Sequence, residues 1–178
     1  MTDDEQKFHE YFMTLALREA ESSASDGEIP CGCVIVALPE GYFEPGIAHP
    51  LPLDNHFSAR IVARAHNQTE MLHDPTAHAE MIAITSATET LKDWRLNRCI
   101  VYVTKEPCPM CAGALVWARP EMIVWGLSDS ERGGEGAFGI LSNPHTNHRA
   151  RLVRGILEAR CKEQFQHFFQ MRRKDNLP

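Results

Sequence analysis

Two short stretches constrain this chain more than any other feature: DPTAHAEM, residues 74–81, and KEPCPMCAGA, residues 105–114. In the second, Cys108 and Cys111 stand at i and i+3. That spacing puts both sulfurs on one face of a helical turn, where they can reach one ion. Pro107 marks a helix N-terminus, and the positive end of the helix dipole there favours thiolate, the form that binds metal. His78 sits at another helix start and is the third candidate ligand. A fold in which all three share an ion must bring two helix starts together.

Three protein ligands leave the fourth tetrahedral position open to water, which is the catalytic arrangement of zinc and not the structural one. Glu80 has a separate task. Residues two apart on a helix point roughly 200° from one another, so His78 and Glu80 are poor candidates to ligate one ion side by side. Glu80 is better placed to move protons. Zinc lowers the pKa of its water toward about 7, and a nearby carboxylate can take that proton and pass it on. Addition of water to an amidine-like ring carbon, with protonation of the departing amine, is hydrolytic deamination. The order H-x-E then P-C-x-x-C is the zinc-deaminase signature.

Other uses of the cysteines explain less. A redox CxxC after a strand accounts for neither His78 nor Glu80. A structural zinc needs a fourth ligand, and Cys99 and Cys161 lack ligand-like spacing. Cys31 and Cys33 form a CxC on an apolar run and read as small core residues. His49, His56, His66, His73, His145, His148 and His167 read as surface or turn residues.

The chain alternates helix and strand. KFHEYFMTLALREAESS carries Phe8, Tyr11, Phe12, Leu15 and Ala16 at helical spacing, and SASDG ends it. CGCVIVAL reads as a strand buried on both faces. PEGYFEPGIAHPLPLDNHF is a proline- and glycine-rich surface loop over residues 39–57, and SARIVARAHN a second strand. The next helix is expected to begin after HDPT, with Asp74 as N-cap and Pro75 at its first position. Met81, Ile84, Thr88 and Leu91 mark one of its faces. CIVYVT is a strand, PMCAGALVWA a short helix, MIVWGL a strand, and ERGGEGAFG a glycine-rich loop. RLV is a short fifth strand. ILEARCKEQFQHFFQMRR closes the chain as a helix marked by Ile156, Leu157, Phe165, Phe168 and Phe169. Strands separated by helices imply parallel neighbours, and the first pair is hairpin-like. The expectation is one α/β domain over residues 1–178, a mixed sheet between helices.

No run of eighteen apolar residues suggests a membrane span, and the acidic N-terminus lacks the features of a signal peptide, so a soluble cytoplasmic protein is expected. The net charge of −6 argues against non-specific nucleic-acid binding without excluding a local basic patch.

HNQTEMLHDPTAHAEM, YVTKEPCPMCAGA, GGEGAF, NPHTNHR and GILEARCKEQFQHFFQMRR together closely resemble the bacterial tRNA-specific adenosine deaminase (TadA) family of the cytidine deaminase-like superfamily. The resemblance runs from Phe8 to Lys174. It implies a three-layer α/β/α cytidine deaminase-like fold with a five-stranded sheet, one Zn2+ per subunit, a homodimer, and conversion of the wobble adenosine of a tRNA anticodon loop to inosine. Carried onto this sequence, it implies that His78, Cys108 and Cys111 hold zinc and that Glu80 is the proton donor and acceptor. It implies that Asn67 and the backbone of Ala79 contact the target nucleoside, and that the Cys108 N–H and the Pro107 carbonyl face the reacting groups. It places Asp129 near the anticodon nucleotides and Phe169, Arg172 and Arg173 on a terminal helix leaning toward RNA, where stacking and phosphate pairing suit a splayed loop. His148 in NHR reads as structural, holding the C-terminal helix. The short helix GALVWA is a plausible dimer interface. Three features depart from the family: Glu131 in a typically basic place, the acidic charge, and the long 39–57 insertion. CPMCAGALVWARP also resembles guanine deaminases, so a free nucleobase or nucleoside, guanine first, is the alternative substrate. A catalytically silent RNA-binding module is a third reading, and Glu80 argues against it.

Overall fold

The computed structural model describes residues 1–40 and 59–175. The 39–57 insertion therefore lies outside the described residues except for Pro39 and Glu40. The chain opens with α1 (Asp3–Ser25) and the hairpin strands β1 (Gly32–Ala37) and β2 (Arg60–His66). A single turn α2 (Thr69–Leu72), which the sequence pattern did not suggest, leads to α3 (Ala79–Leu91). Then follow β3 (Cys99–Lys105), α4 (Pro109–Ala118), β4 (Met122–Leu127), β5 (Arg151–Arg154) and α5 (Glu158–Asp175). No helix among the described residues is long and apolar enough to cross a membrane.

The five strands form one mixed sheet in the order β2-β1-β3-β4-β5. β1 is antiparallel to both β2 and β3, and β3, β4 and β5 run parallel. Side chains alternate between faces along each strand. Val34, Val36, Ile100, Tyr102, Met122 and Val124 pack against α1 and α5. Cys33, Ile35, Val101, Val103, Ile123 and Trp125 pack against α3 and α4. The result is the expected three-layer α/β/α sandwich with the central strands buried on both faces. α1 lies close on β1: a Cβ at Gly32 would come within 2.0 Å of the Ala16 carbonyl oxygen.

Helix starts differ from expectation in instructive ways. α1 begins with a capping box, in which Thr2 accepts from the Glu5 N–H and Glu5 reaches back to the Thr2 N–H. Asp74 does not cap α3. Its carboxylate accepts from the N–H and the hydroxyl of Thr76 and so closes a local turn. That turn delays the helix until Ala79, with His78 as N-cap in extended backbone, φ −74° and ψ 153°. The buried face of α3 is consequently Ala79, Glu80, Ala83 and Ala87, while Met81, Ile84, Thr88 and Leu91 are only partly buried. Small residues there let the helix sit close to the sheet. In α4, Cys108 is the N-cap and Pro109 takes the first helical position, where its missing N–H costs nothing. α5 starts after Ile156 and Leu157, not at them, because Leu157 adopts a left-handed φ of 52°. Tyr11 and Phe165 stay outside the deep core, the former exposed. His148 is structural but does not hold α5: its Nε2 lies 2.7 Å from the Pro120 carbonyl, tying the approach to β5 to the corner between α4 and β4.

Candidate active site

The N-termini of α3 and α4 meet at the ends of the central strands, and His78, Glu80 and Cys108 line one cavity of about 460 Å³. That volume suits a nucleoside-sized ligand. His78 Nδ1 lies 3.6 Å from Cys108 Sγ and 3.5 Å from Cys111 Sγ. A tetrahedral zinc with bonds of about 2.05 Å to nitrogen and 2.3 Å to sulfur sets those atoms about 3.6 Å apart. The triangle thus has the dimensions of a zinc site, and its nitrogen and sulfur donors suit that metal. Among the described residues these three are the group able to hold a metal.

The thiols are electronically prepared. The Cys108 thiol is pulled down to about 4, mainly by the hydrogen bond from Cys111 and secondarily by His78. Cys111, the donor of that bond, is pushed up by the same contact. His78 is raised, chiefly through its bond to the Cys108 sulfur. The site therefore holds a thiolate and shared protons that a cation would displace.

Glu80 is 5% exposed and its carboxyl is raised above the usual range, first by burial and then by the thiolate of Cys108. It lines the same cavity as His78. His78 and Glu80 do not point from opposite faces of one helix, because His78 is a cap in extended backbone and not a helical residue. Its ring and the Glu80 carboxylate can thus meet one space without sharing one ion.

The other expected residues separate into two groups. Asn67, Asp129 and Phe169 line the cavity. For the two backbone contacts expected, Ala79 is fully buried at the start of α3, and the Pro107 carbonyl accepts the Gly134 N–H at 2.7 Å. Arg172 turns away, donating to the Gly27 carbonyl at 2.8 Å and lying over Phe168, and Arg173 is exposed. Gly134 needs its lack of a side chain: a Cβ would fall 2.5 Å from the Ala112 methyl, so the glycine-rich loop can press on α4.

Several site residues escaped the sequence reading. Glu28 is buried and its carboxylate accepts from Asn67 Nδ2, the Thr69 hydroxyl and the N–H groups of Glu70 and Met71. Burial would raise this carboxyl, but those donors outweigh it and hold the pKa below the usual value. An ionised carboxylate only accepts, so it fixes the Asn67 amide with its nitrogen toward Glu28. Glu106, also buried, gathers the N–H groups of Asp129, Glu135 and Gly136 and so anchors the loop that carries Asp129. Cys31 precedes β1 and lines the cavity, while Cys33 is core as expected. Burial, with Glu80 next, pushes the Cys31 thiol up to about 12, so it is a neutral wall and not a nucleophile. Nothing local in GEIP marks Glu28, because its partners Asn67, Thr69, Glu70 and Met71 lie far along the chain.

Comparison with known proteins fits this geometry. Residues 56–173 match the MafB19-like deaminase family. The tRNA-specific adenosine deaminase of Bacillus subtilis is 37% identical over 175 residues, covering 98% of this chain and 93% of its own. A solved structure from a study of A-to-I editing by tRNA:A34 deaminases at the wobble position superposes with a TM-score of 0.71 at 34% identity, covering 86% of this chain and 98% of that one. The guanine deaminase of Bacillus subtilis is more distant, with a TM-score of 0.55 at 26% identity over 96% of this chain and 95% of that one. The α3 and α4 N-termini, the His78–Cys108–Cys111 triangle and near-full-length identity lead to one assignment: the chain belongs to the tRNA-specific adenosine deaminase family and has its cytidine deaminase-like fold.

Proposed function

We propose that this chain is a cytoplasmic zinc enzyme, acting as one domain over residues 1–178, that hydrolyses the wobble adenosine of a tRNA anticodon to inosine. The observation that carries the proposal is the metal-sized triangle with the buried Glu80 beside it in a nucleoside-sized cavity. The 37% identity to a tRNA-specific adenosine deaminase supports the substrate.

Zinc held by His78, Cys108 and Cys111 would supply Lewis acidity, lowering the pKa of a water to about 7. The chain's own residues do the rest. Glu80, its proton affinity raised by burial, accepts a proton from the attacking water. The water oxygen adds to C6 of the purine as Glu80 passes that proton to N1. Glu80 then moves the remaining hydroxyl proton to the amino group, and the C6–N6 bond breaks as the C6 carbonyl forms, releasing ammonia. Asn67, its amide nitrogen committed to Glu28 and Thr69, keeps Oδ1 to accept from the nucleoside. Phe169 offers a ring to a neighbouring base, and Phe165 stands 5.0 Å from it, ring to ring.

Free guanine is the second reading, supported by the CPMC and WARP stretches and the fold shared with the Bacillus subtilis guanine deaminase. A competition assay separates the two. The metal-loaded protein is given equal concentrations of an anticodon stem-loop with adenosine at the wobble position and of free guanine. Inosine in the RNA with guanine intact is expected; ammonia from guanine with the RNA unchanged would overturn the reading. A homodimer belongs to the proposal as well. In α4, Leu115 and Val116 are taken up by the core, and Trp117, 66% exposed, is the side chain left to meet a partner. Sedimentation at micromolar protein is expected to give a dimer, and a monomer would count against it.

A further inference from the structure

The cavity has a cation that the catalytic account does not use. Lys105 ends β3, three residues before Cys108, and lines the cavity wall. Its side chain is 22% exposed, and its ammonium bonds to the Asp129 carboxylate and faces the Phe165 ring, 5.6 Å from the centroid. Asp129 is itself immobilised. Its Oδ1 accepts the N–H groups of Glu131 at 3.1 Å and Arg132 at 2.9 Å, and its own N–H goes to Glu106.

Electrostatics make this lysine consequential. The chain carries a net charge of −6, and the cavity walls include Glu80, Glu106, Asp129 and Glu131. A polyanion approaching such a cavity needs a positive charge at its mouth. Lys105 and Arg132 are the lysine and arginine that line it. Arg132 is exposed on the loop, whereas Lys105 is half-buried and held at its tip, so fixing it on a ligand costs less side-chain entropy. Asp129 takes one of three ammonium protons and leaves two donors. The rings of Phe165 and Phe169 lie alongside. A fixed cation next to paired aromatic rings is the recognition element of a single-stranded nucleic acid.

We infer that Lys105, held in place by Asp129, is the contact for a backbone phosphate flanking the target nucleotide. This rests on the RNA reading above. It assigns Asp129 the task of positioning Lys105 and gives an acidic chain its electrostatic entry point for RNA.

The test is binding of a fluorescent anticodon stem-loop by fluorescence anisotropy, in a Glu80→Gln background so that the RNA is not consumed, over a tenfold range of potassium chloride. One phosphate contact to a single strand contributes about 0.7 to the slope of log Kd against log salt. Lys105→Met is expected to lower the slope by about 0.7 and to weaken binding about fivefold near ~0.1 M salt. Lys105→Arg is expected to restore both. Metal content and thermal unfolding of each variant show whether it folds. An unchanged slope in folded Lys105→Met overturns the inference, whatever happens to Kd, because a lysine that only braces Asp129 would shift affinity without releasing a counterion. The predicted slope change, together with intact stem-loop adenosine after incubation with metal-loaded protein that retains Glu80, keeps the Lys105 contact and sinks the deamination reading. A chain that does not bind the stem-loop at all sinks both.

Discussion

Glu80 and Glu28 are both buried carboxylates at this site, and they do opposite things with burial. Glu80 has its proton affinity raised by it, which suits proton transfer; Glu28 is surrounded by donors and stays ionised, which suits holding Asn67. Glu80→Gln is expected to lower kcat by about 10²- to 10⁴-fold with metal content unchanged. Steady-state kinetics beside metal analysis checks this, and loss of metal would show Glu80 to be a ligand instead. Glu28→Ala leaves the Thr69 hydroxyl and two backbone N–H groups without their acceptor and the Asn67 amide held by Thr69 alone. It is expected to lower kcat/KM by about a hundredfold through misplacement of Asn67, with metal retained. His9 gives a pH signature far from the site. It is 2% exposed, with Nδ1 2.9 Å from the Tyr102 hydroxyl. Burial, with Arg151 second, lowers its pKa from 6.5 to about 4. The unfolded chain binds this proton below pH 6.5 while the folded chain resists it to about 4, so stability is lost as pH falls through that window. The loss attributable to His9 is about 3 kcal/mol, measured as the difference between the wild type and His9→Asn in urea titrations across that range. His78, Glu80, Cys108 and Cys111 were legible in sequence because their spacing is local and their chemistry narrow. Glu28 and Lys105 were not, because what gives each its meaning lies far along the chain: Asn67 for one, Asp129 for the other.

Most elements could be read from periodicity, since β1, β3 and β4 carry apolar runs and α1 a regular stripe. The start of α3 could not. Asp74 and Pro75 have the composition of a helix start, yet the carboxylate closes a turn two residues on, and nothing in the residue types distinguishes those uses. The delay matters, because it makes His78 a cap and brings its Nδ1 within 3.6 Å of the Cys108 and 3.5 Å of the Cys111 sulfur. The close seat of α1 on β1 is equally invisible in sequence. Gly32→Ala would drive a methyl into the Ala16 carbonyl and the Ala20 N–H. It is expected to destabilise the fold by about 3 kcal/mol, read as a lowered urea midpoint, and a neutral result would show that α1 can lift from the sheet without penalty.

At the scale of the molecule, the sheet brings two helix starts together, and His78, Cys108 and Cys111 close a triangle of metal-site dimensions. Metal should therefore be part of the fold's stability as well as its chemistry. Extended dialysis against a chelator is expected to remove activity and lower the Tm, with both restored by one equivalent of zinc per chain. An unchanged Tm would mean that the triangle forms without needing an ion. The central claim, hydrolysis of a wobble adenosine by water, has a direct test. Zinc-loaded protein is incubated with an anticodon stem-loop in water enriched in oxygen-18, and the digested RNA is read by mass spectrometry. Inosine carrying the heavy oxygen, at the wobble position alone, is the predicted result. Intact adenosine from fully metal-loaded protein, or inosine without the heavy label, would contradict it.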